Sequence, residues 1–142
     1  MLEQSSPALV VNTGSKQGIT NPPGSACYNA AKAAVKSLTE SLAHELRNLE
    51  GCQVTAHLLV PGWTTTGDRE HRSGAWLPGQ VADFLLAGIE RGDFYVICPD
   101  DETTWEMDRK RILWSAMDLT EGRPALTRWH PDWKEEFERF SK

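Results

Sequence analysis

The sequence lacks a disulfide framework. Its three cysteines, Cys27, Cys52 and Cys98, fall at unrelated spacings. An odd count without a repeated spacing excludes a fully paired set and offers no zinc-ligand pattern. Reduced thiols and a cytoplasmic setting are therefore expected. There is no apolar run long enough to cross a bilayer, and no secretory leader is expected. Basic charge is also short: 15 Lys and Arg stand against 20 Asp and Glu, for a net charge of −5. That balance argues against nucleic acid and anionic membrane as partners. The one basic cluster, Arg109-Lys110-Arg111, reads as a solvated helix face. No internal repeat or low-complexity segment is present, which excludes a solenoid.

What is present suits one α/β domain. The 142 residues can enclose a core, and 39% of them are hydrophobic, as in an ordinary globular chain. Residues 8–12, Ala-Leu-Val-Val-Asn, predict a buried strand running into a loop. Asn21-Pro22-Pro23-Gly24 forbids a helix and marks a turn. Ser25 then offers a helix N-cap, and good helix formers follow over residues 26–49. Val35, Leu38, Leu42, Leu46 and Leu49 form one apolar stripe on that helix. Ala26, Ala30, Ala33 and Ser37 form a second face of small residues, and Gly51 ends the helix.

Residues 53–60 predict a second strand, stopped by Pro61-Gly62. A loop over 67–77 precedes a helix that opens at Pro78 and runs to Gly92, with Val81, Phe84, Leu85 and Ile89 inward. Residues 94–98 predict a third strand. The resulting βαβαβ order over 1–99 implies a doubly wound parallel sheet of about three strands with right-handed crossover helices. Residues 100–142 read as a helical extension, with helices over 103–117 and 131–140. Its Trp105, Trp114, Trp129 and Trp133 are expected to serve packing.

Tyr28 and Lys32 lie four apart on the long helix, so they share a face. At ~4 Å and an effective dielectric of ~20, a lysine charge favours phenolate over phenol by about 4 kcal/mol. Such a pair suits general acid/base work. Ser15 lies just past the first strand, thirteen residues before Tyr28. From there its hydroxyl can reach the same helix face and hydrogen-bond a substrate carbonyl oxygen.

Three motifs now stand in order. They are Val-Val-Asn-Thr-Gly-Ser at 10–15, Tyr-Asn-Ala-Ala-Lys-Ala-Ala-Val at 28–35 and Pro-Gly-Trp-Thr-Thr-Thr at 61–66. Together they closely resemble the active-site region of short-chain dehydrogenases/reductases, over residues 1 to about 98. The resemblance implies a partial Rossmann-like sheet and hydride transfer between NAD or NADP and a carbonyl or alcohol substrate. It implies Tyr28 as the acid/base, with Lys32 beside it holding nicotinamide ribose hydroxyls. Ser15 would orient the substrate. Pro61, Gly62 and the backbone around Thr64 would hold the carboxamide, and Thr66 would contact cofactor phosphate. Trp63 and Trp76 would face the substrate.

The family's first half is not represented. Its glycine-rich turn, its residue that selects NAD or NADP and its Asn-Asn-Ala-Gly-like segment have no counterpart here. Residues 1–4 resemble only the end of the helix that carries the family's catalytic asparagine, and no residue is assigned that role. The stretch Thr13-Gly14-Ser15-Lys16-Gln17-Gly18 mimics a phosphate-binding turn. Thr20 stands where the last glycine is wanted, and no helix is expected to open directly there. The two prolines that follow remove donors that a phosphate would need. His57 is expected to be structural, His44 to pair with Glu40 at the surface, and His130 to be exposed; His71 lies in the loop near the substrate side.

Half of a doubly wound sheet leaves one strand edge and one helix face without cover. Self-association or pairing with a separate first-half chain is expected, and the family commonly dimerises through the helix of Tyr28 and Lys32. Three functions remain open on sequence alone. One is an NAD(P)-dependent oxidoreductase. The second is a non-catalytic remnant that binds a partner. The third is a cofactor-free acid/base enzyme for dehydration or isomerisation.

Overall fold

The computed structural model describes residues 6–141. The reading of residues 1–4 as a helix end therefore lies outside the described residues. Three parallel strands form one sheet in the order β1, β2, β3. They are β1 (Ala8–Thr13), β2 (Val54–Val60) and β3 (Tyr95–Ile97). The long α2 (Ala26–Asn48) and then α3 (Pro78–Glu90) are the crossovers, and a one-turn α1 (Gln17–Thr20) precedes α2. The helical extension holds α4 (Trp105–Thr120) and α5 (Lys134–Arg139). The α/β reading with three parallel strands is what the molecule shows.

The central strand explains the layering. Six of the seven residues of β2 are buried, as a strand covered on both faces requires. Val54 and Ala56 point to one face and pack with Leu46, Leu42 and Ala43 of α2. Leu59 points to the other and packs with Val81, Phe84 and Leu85 of α3, and with Val96 of β3. Alternate side chains on a strand face opposite ways, so one strand serves both cores. His57 is buried within this strand. Its Nδ1 lies 2.8 Å from the Asp93 carbonyl and its Nε2 2.9 Å from Thr55 Oγ1. Nδ1 holds β2 to the approach of β3 and Nε2 is taken up within β2 itself, a structural role.

Several local expectations are corrected. Ser25 gives no side-chain cap; with φ −139° and ψ 46° it only offers its carbonyl to the Asn29 N–H at 2.9 Å. A helix does open within residues 13–20, as the single turn α1, before the prolines intervene. Leu38 is 69% exposed rather than part of the buried stripe. By helical spacing it continues the exposed face of Cys27, Ala31 and Ala34. Glu40 pairs with Lys36 at 2.7 Å and accepts from the Tyr95 hydroxyl, whereas His44 meets Arg47 and Asn48. Residues 131–133 form a 3-10 turn, so the last α-helix starts only at Lys134. Trp114 is fully buried and meets Trp133, Phe137 and Phe140 edge-on, but Trp105 is 48% exposed and does not serve the core. The cysteine thiols are all free, and burial pushes that of Cys98 up to about 11.

Edge strand β1 has β2 on one side only among the described residues. The N–H of Ala8 bonds Gln53 and that of Gly14 bonds Leu59, so the even-numbered residues face β2. Leu9, Val11 and Thr13 therefore turn their backbone groups outward. No helix among the described residues is long and apolar enough to cross a membrane.

Gly18 lets α1 lie against α2. A Cβ there would sit 2.5 Å from the Lys32 carbonyl carbon and 2.7 Å from the Ala33 nitrogen. Both are helix backbone and cannot yield. Gly18→Ala is expected to cost ~1–3 kcal/mol in urea unfolding, whereas Gly79→Ala, with nothing within 4 Å of the new Cβ, is expected to stabilise by ~0.5 kcal/mol. Tyr95 offers a pH test. Burial first, then the Glu40 bond and charge, push its phenol up from 10.0 to about 12. Between those values the unfolded chain loses the proton while the folded chain keeps it, so stability falls as pH rises. Denaturant midpoints from pH 10 to 12 are expected to fall more steeply in the native protein than in Tyr95→Phe.

Candidate active site

Parallel strands deliver their loops to one end of the sheet, and ligand clefts form beyond the carboxyl ends of the strands. A cleft of about 570 Å³ lies there. Its walls include Ser15 from the turn after β1, Tyr28 and Lys32 from α2, and Pro61, Gly62, Trp63, Thr64 and Thr66 from the loop after β2. Pro78 and Val81 at the start of α3 close one side. Eight of the residues singled out from sequence thus share one cavity, reached from three separate segments.

The helix presents its pair by simple spacing. Tyr28 is 47% exposed, so its hydroxyl is open to a ligand. The Lys32 ammonium donates to the Thr13 carbonyl at 2.9 Å and lies 5.8 Å from the centre of the Tyr28 ring. Thr13 is one of the β1 residues whose carbonyl turns outward, so the strand edge itself anchors the lysine. The neighbouring Asn29 is buried and donates to the Pro22 carbonyl at 2.6 Å and to Asn21 Oδ1 at 3.0 Å. Those bonds fasten the proline turn to the first turn of α2, directly beside Tyr28. Ser15 Oγ accepts the Gln17 N–H at 3.2 Å, which fixes the turn and leaves the hydroxyl proton free to be donated.

The loop after β2 is braced from both sides. The Thr64 hydroxyl donates to the Gly62 carbonyl at 3.1 Å, and Thr65 Oγ1 lies 3.0 Å from His71 Nδ1. A short parallel bridge joins Thr64 to Trp76. The Trp76 ring, however, is not in the cleft wall. It packs edge-on against Phe84 with centroids 5.8 Å apart, and its Nε1 donates to Asp101 at 3.0 Å. Trp63, 42% exposed, is the tryptophan that lines the cavity.

Three charged residues that the sequence reading passed over hold this end together. Asp100 accepts the Trp63 N–H at 2.9 Å and those of Glu102 and Thr103 at 3.0 and 2.7 Å. Lys16 lies 3.7 Å from Asp100 and 2.5 Å from Asp108 of α4. Burial alone would raise the Asp100 carboxyl, but the Trp63 N–H, Lys16 and its own loop amides hold it below its ordinary value. At Asp108 burial wins, and the carboxyl is raised despite Lys16 and Arg111. Gly62 is glycine because a Cβ there would meet Asp100 Oδ2 and the Pro99 carbonyl at 2.7 Å each. An aspartate directly after a strand-ending proline was the available signal in sequence.

The comparisons with known proteins agree on this architecture. A family model described as short chain dehydrogenase matches residues 1–75. A CLA biosynthesis dehydrogenase/reductase of Lactiplantibacillus plantarum is 23% identical over 157 residues, covering 89% of this chain and 53% of that protein. Oxidoreductase calM of Penicillium decumbens is 33% identical over 93 residues, covering 59% of this chain and 31% of that protein. Among solved structures, a short chain dehydrogenase/reductase from Burkholderia phymatum in complex with NAD superposes with a TM-score of 0.72 at 27% identity, over 87% of this chain and 52% of that one. A bulky-bulky ketone specific alcohol dehydrogenase from Comamonas testosteroni gives 0.57 at 24% identity, a likeness of fold. The chain spans about half the length, or less, of the proteins it matches. Since the family model matches more than half of the sequence, and the cleft lies where that fold places it, the chain belongs to the short-chain dehydrogenase family.

Proposed function

We propose that this chain carries out the proton-transfer part of a hydride exchange between a nicotinamide cofactor, NAD or NADP, and a small carbonyl or alcohol substrate. One observation carries the reading: Ser15, Tyr28 and Lys32 wall a single cleft together with the loop that contains Thr64 and Thr66. The relative solved with NAD supports the choice of cofactor class.

The residues fit the nicotinamide end of such a cofactor. Lys32 uses one ammonium donor on Thr13 and keeps its others for ribose hydroxyls. The bound nicotinamide supplies or accepts the hydride. Tyr28 gives a proton to the substrate oxygen in reduction and takes it back in oxidation, with the Lys32 ammonium one turn away along the helix. Ser15, its oxygen already held by the Gln17 N–H, donates its own proton as a hydrogen bond to the same substrate oxygen. That bond strengthens as charge develops there. Pro61, Gly62 and the backbone around Thr64 would hold the carboxamide, and Thr66 would contact the phosphates. Trp63 offers the substrate a flat apolar wall.

A second reading has its own support. The outward backbone groups of β1 and the exposed Cys27, Ala31, Ala34 and Leu38 face of α2 suit pairing with another chain. The partner is a second copy or a separate first-half chain. A binding role of that kind does not require turnover.

Titration with NADH and NADPH, read by quenching of tryptophan fluorescence, is expected to saturate with at least one of them. Absence of binding by either would rule out self-sufficient hydride transfer. Tyr28→Phe is expected to lower turnover by at least ~10²-fold, more than it weakens cofactor binding; retained turnover would remove Tyr28 from its role. Sedimentation is expected to give a mass of at least two chains, and a well-behaved monomer would overturn the association.

A further inference from the structure

A second, smaller cavity of about 40 Å³ lies behind the active-site turn, between α1, β3 and α4. Its charged lining is Lys16, Asp108, Arg111 and Arg128, set among Ile19, Thr20, Ile97 and Ile112. Three cations thus surround one buried carboxylate. Asp108 serves Lys16 at 2.5 Å with one oxygen and is only a distant partner, at 3.8 Å, to Arg111 with the other. Asp100, 3.7 Å from Lys16, already receives three backbone N–H groups. Two carboxylates thus face three cations: Asp108 also acts on Arg128 through its charge, but neither aspartate makes a hydrogen bond to it.

Arg128 itself stacks on Trp129, with its guanidinium carbon 4.7 Å from the ring centre, and sits 5.6 Å from that of Phe137. Among the described residues its guanidinium has no carboxylate or carbonyl partner. Stacking engages the faces of the guanidinium plane; the N–H groups lie in its edge and need acceptors. A half-buried cation with no hydrogen-bonded acceptor is costly where apolar side chains lower the dielectric. Burial first, then Arg111 beside it, pull the Arg128 guanidinium down to about 10, against the opposing charge of Asp108. A water molecule would supply acceptors without balancing the charge. The cavity is too small for a nucleotide or an organic substrate, and a water-sized particle takes ~30 Å³ in the liquid.

We propose that this cavity is a binding site for one small inorganic anion of halide size, held by Arg128 and Arg111 with Lys16 at its rim. The anion completes the charge balance between α4, the Thr127–Trp129 turn and the residue that follows Ser15. The site shares only Lys16 with the cleft wall and does not depend on the cofactor reading.

Crystals of the chain soaked in sodium bromide are expected to give an anomalous peak in the cavity, in contact with Arg128 and Arg111. In solution at fixed ionic strength, exchanging gluconate for chloride is expected to raise the melting temperature saturably, by about 5 °C at tenfold the dissociation constant. Arg128→Gln is expected to abolish that rise, and Arg111→Gln carries the same comparison should the first variant not fold. Water alone in the cavity overturns the proposal. So does a chloride response that survives both substitutions, or a bromide peak with no saturable response in solution, which is an adventitious ion only.

Discussion

The carboxylate of Asp100 is the point on which the catalytic end of the sheet rests. Three parallel strands deliver three loops to one end, and nothing in a parallel ladder ties those loops to each other. Asp100 stands in the loop after β3. It accepts the Trp63 N–H from the loop after β2 and lies near Lys16 from the turn after β1. Its other oxygen accepts two amides of its own loop, which fixes the direction in which the first can point. One side chain therefore registers all three loops. Charge-assisted bonds are the stronger kind, and the amides and Lys16 keep this group ionised although it is largely covered. Replacing the carboxylate by an amide would set its NH2 against backbone N–H groups, either that of Trp63 or those of Glu102 and Thr103, so the constraint depends on charge as well as shape.

The legible part of the site was the part written locally. Tyr28 and Lys32 share a face through the helical repeat alone. The strand endings at Ser15 and Pro61-Gly62 follow from turn chemistry next to apolar runs. The resemblance of these segments to a family then placed them around one cleft. The Lys16, Asp100 and Asp108 group was not legible, because its members come from a turn, a loop and a helix far apart in sequence. Each alone is an ordinary surface charge. The single turn α1 was hidden for a related reason. It survives beside the prolines because Gly18 fits against the backbone of Lys32 and Ala33, a contact no local pattern announces. Trp76 shows the opposite error. Its position in the loop suggested the substrate side, but Phe84 and Asp101 supply it with a better-matched apolar and polar environment.

The extension beyond β3 is built on different physics. Trp114 is enclosed by three aromatic rings, with the Arg123 guanidinium 4.6 Å from its ring centre and 4.8 Å from that of Trp133. The indole N–H, which needs an acceptor once buried, finds Thr127 Oγ1 at 2.8 Å. That hydroxyl in turn donates to Asp118 at 2.5 Å. The extension thus has a small core of its own, and aromatic spacing in the sequence could not tell that Trp114 would be its centre while Trp105 stayed exposed. An ion pair ties it to the turn after β1: Asp108 on α4 meets Lys16, one residue from Ser15, beside Ile112, which lines one cavity with Ile19 and Ile97. A disturbance of the aromatic core can reach the active-site turn through that pair.

The same geometry explains why the cleft end is well determined while the sheet is open at its side. A strand pairs through backbone groups that alternate in direction, so β1 satisfies only its even-numbered residues against β2. Its other edge lends one carbonyl, that of Thr13, to Lys32. The bond couples that outer edge to the Tyr28 and Lys32 pair. Any chain that adds a strand beside β1 would compete for, or be ordered around, the group that holds the Lys32 ammonium. Lys32 would then report on whether the edge is covered, since its anchor is the last residue of the strand that the partner must meet. The outer edge of β1 and the position of the Lys32 ammonium are therefore linked through one carbonyl in this fold.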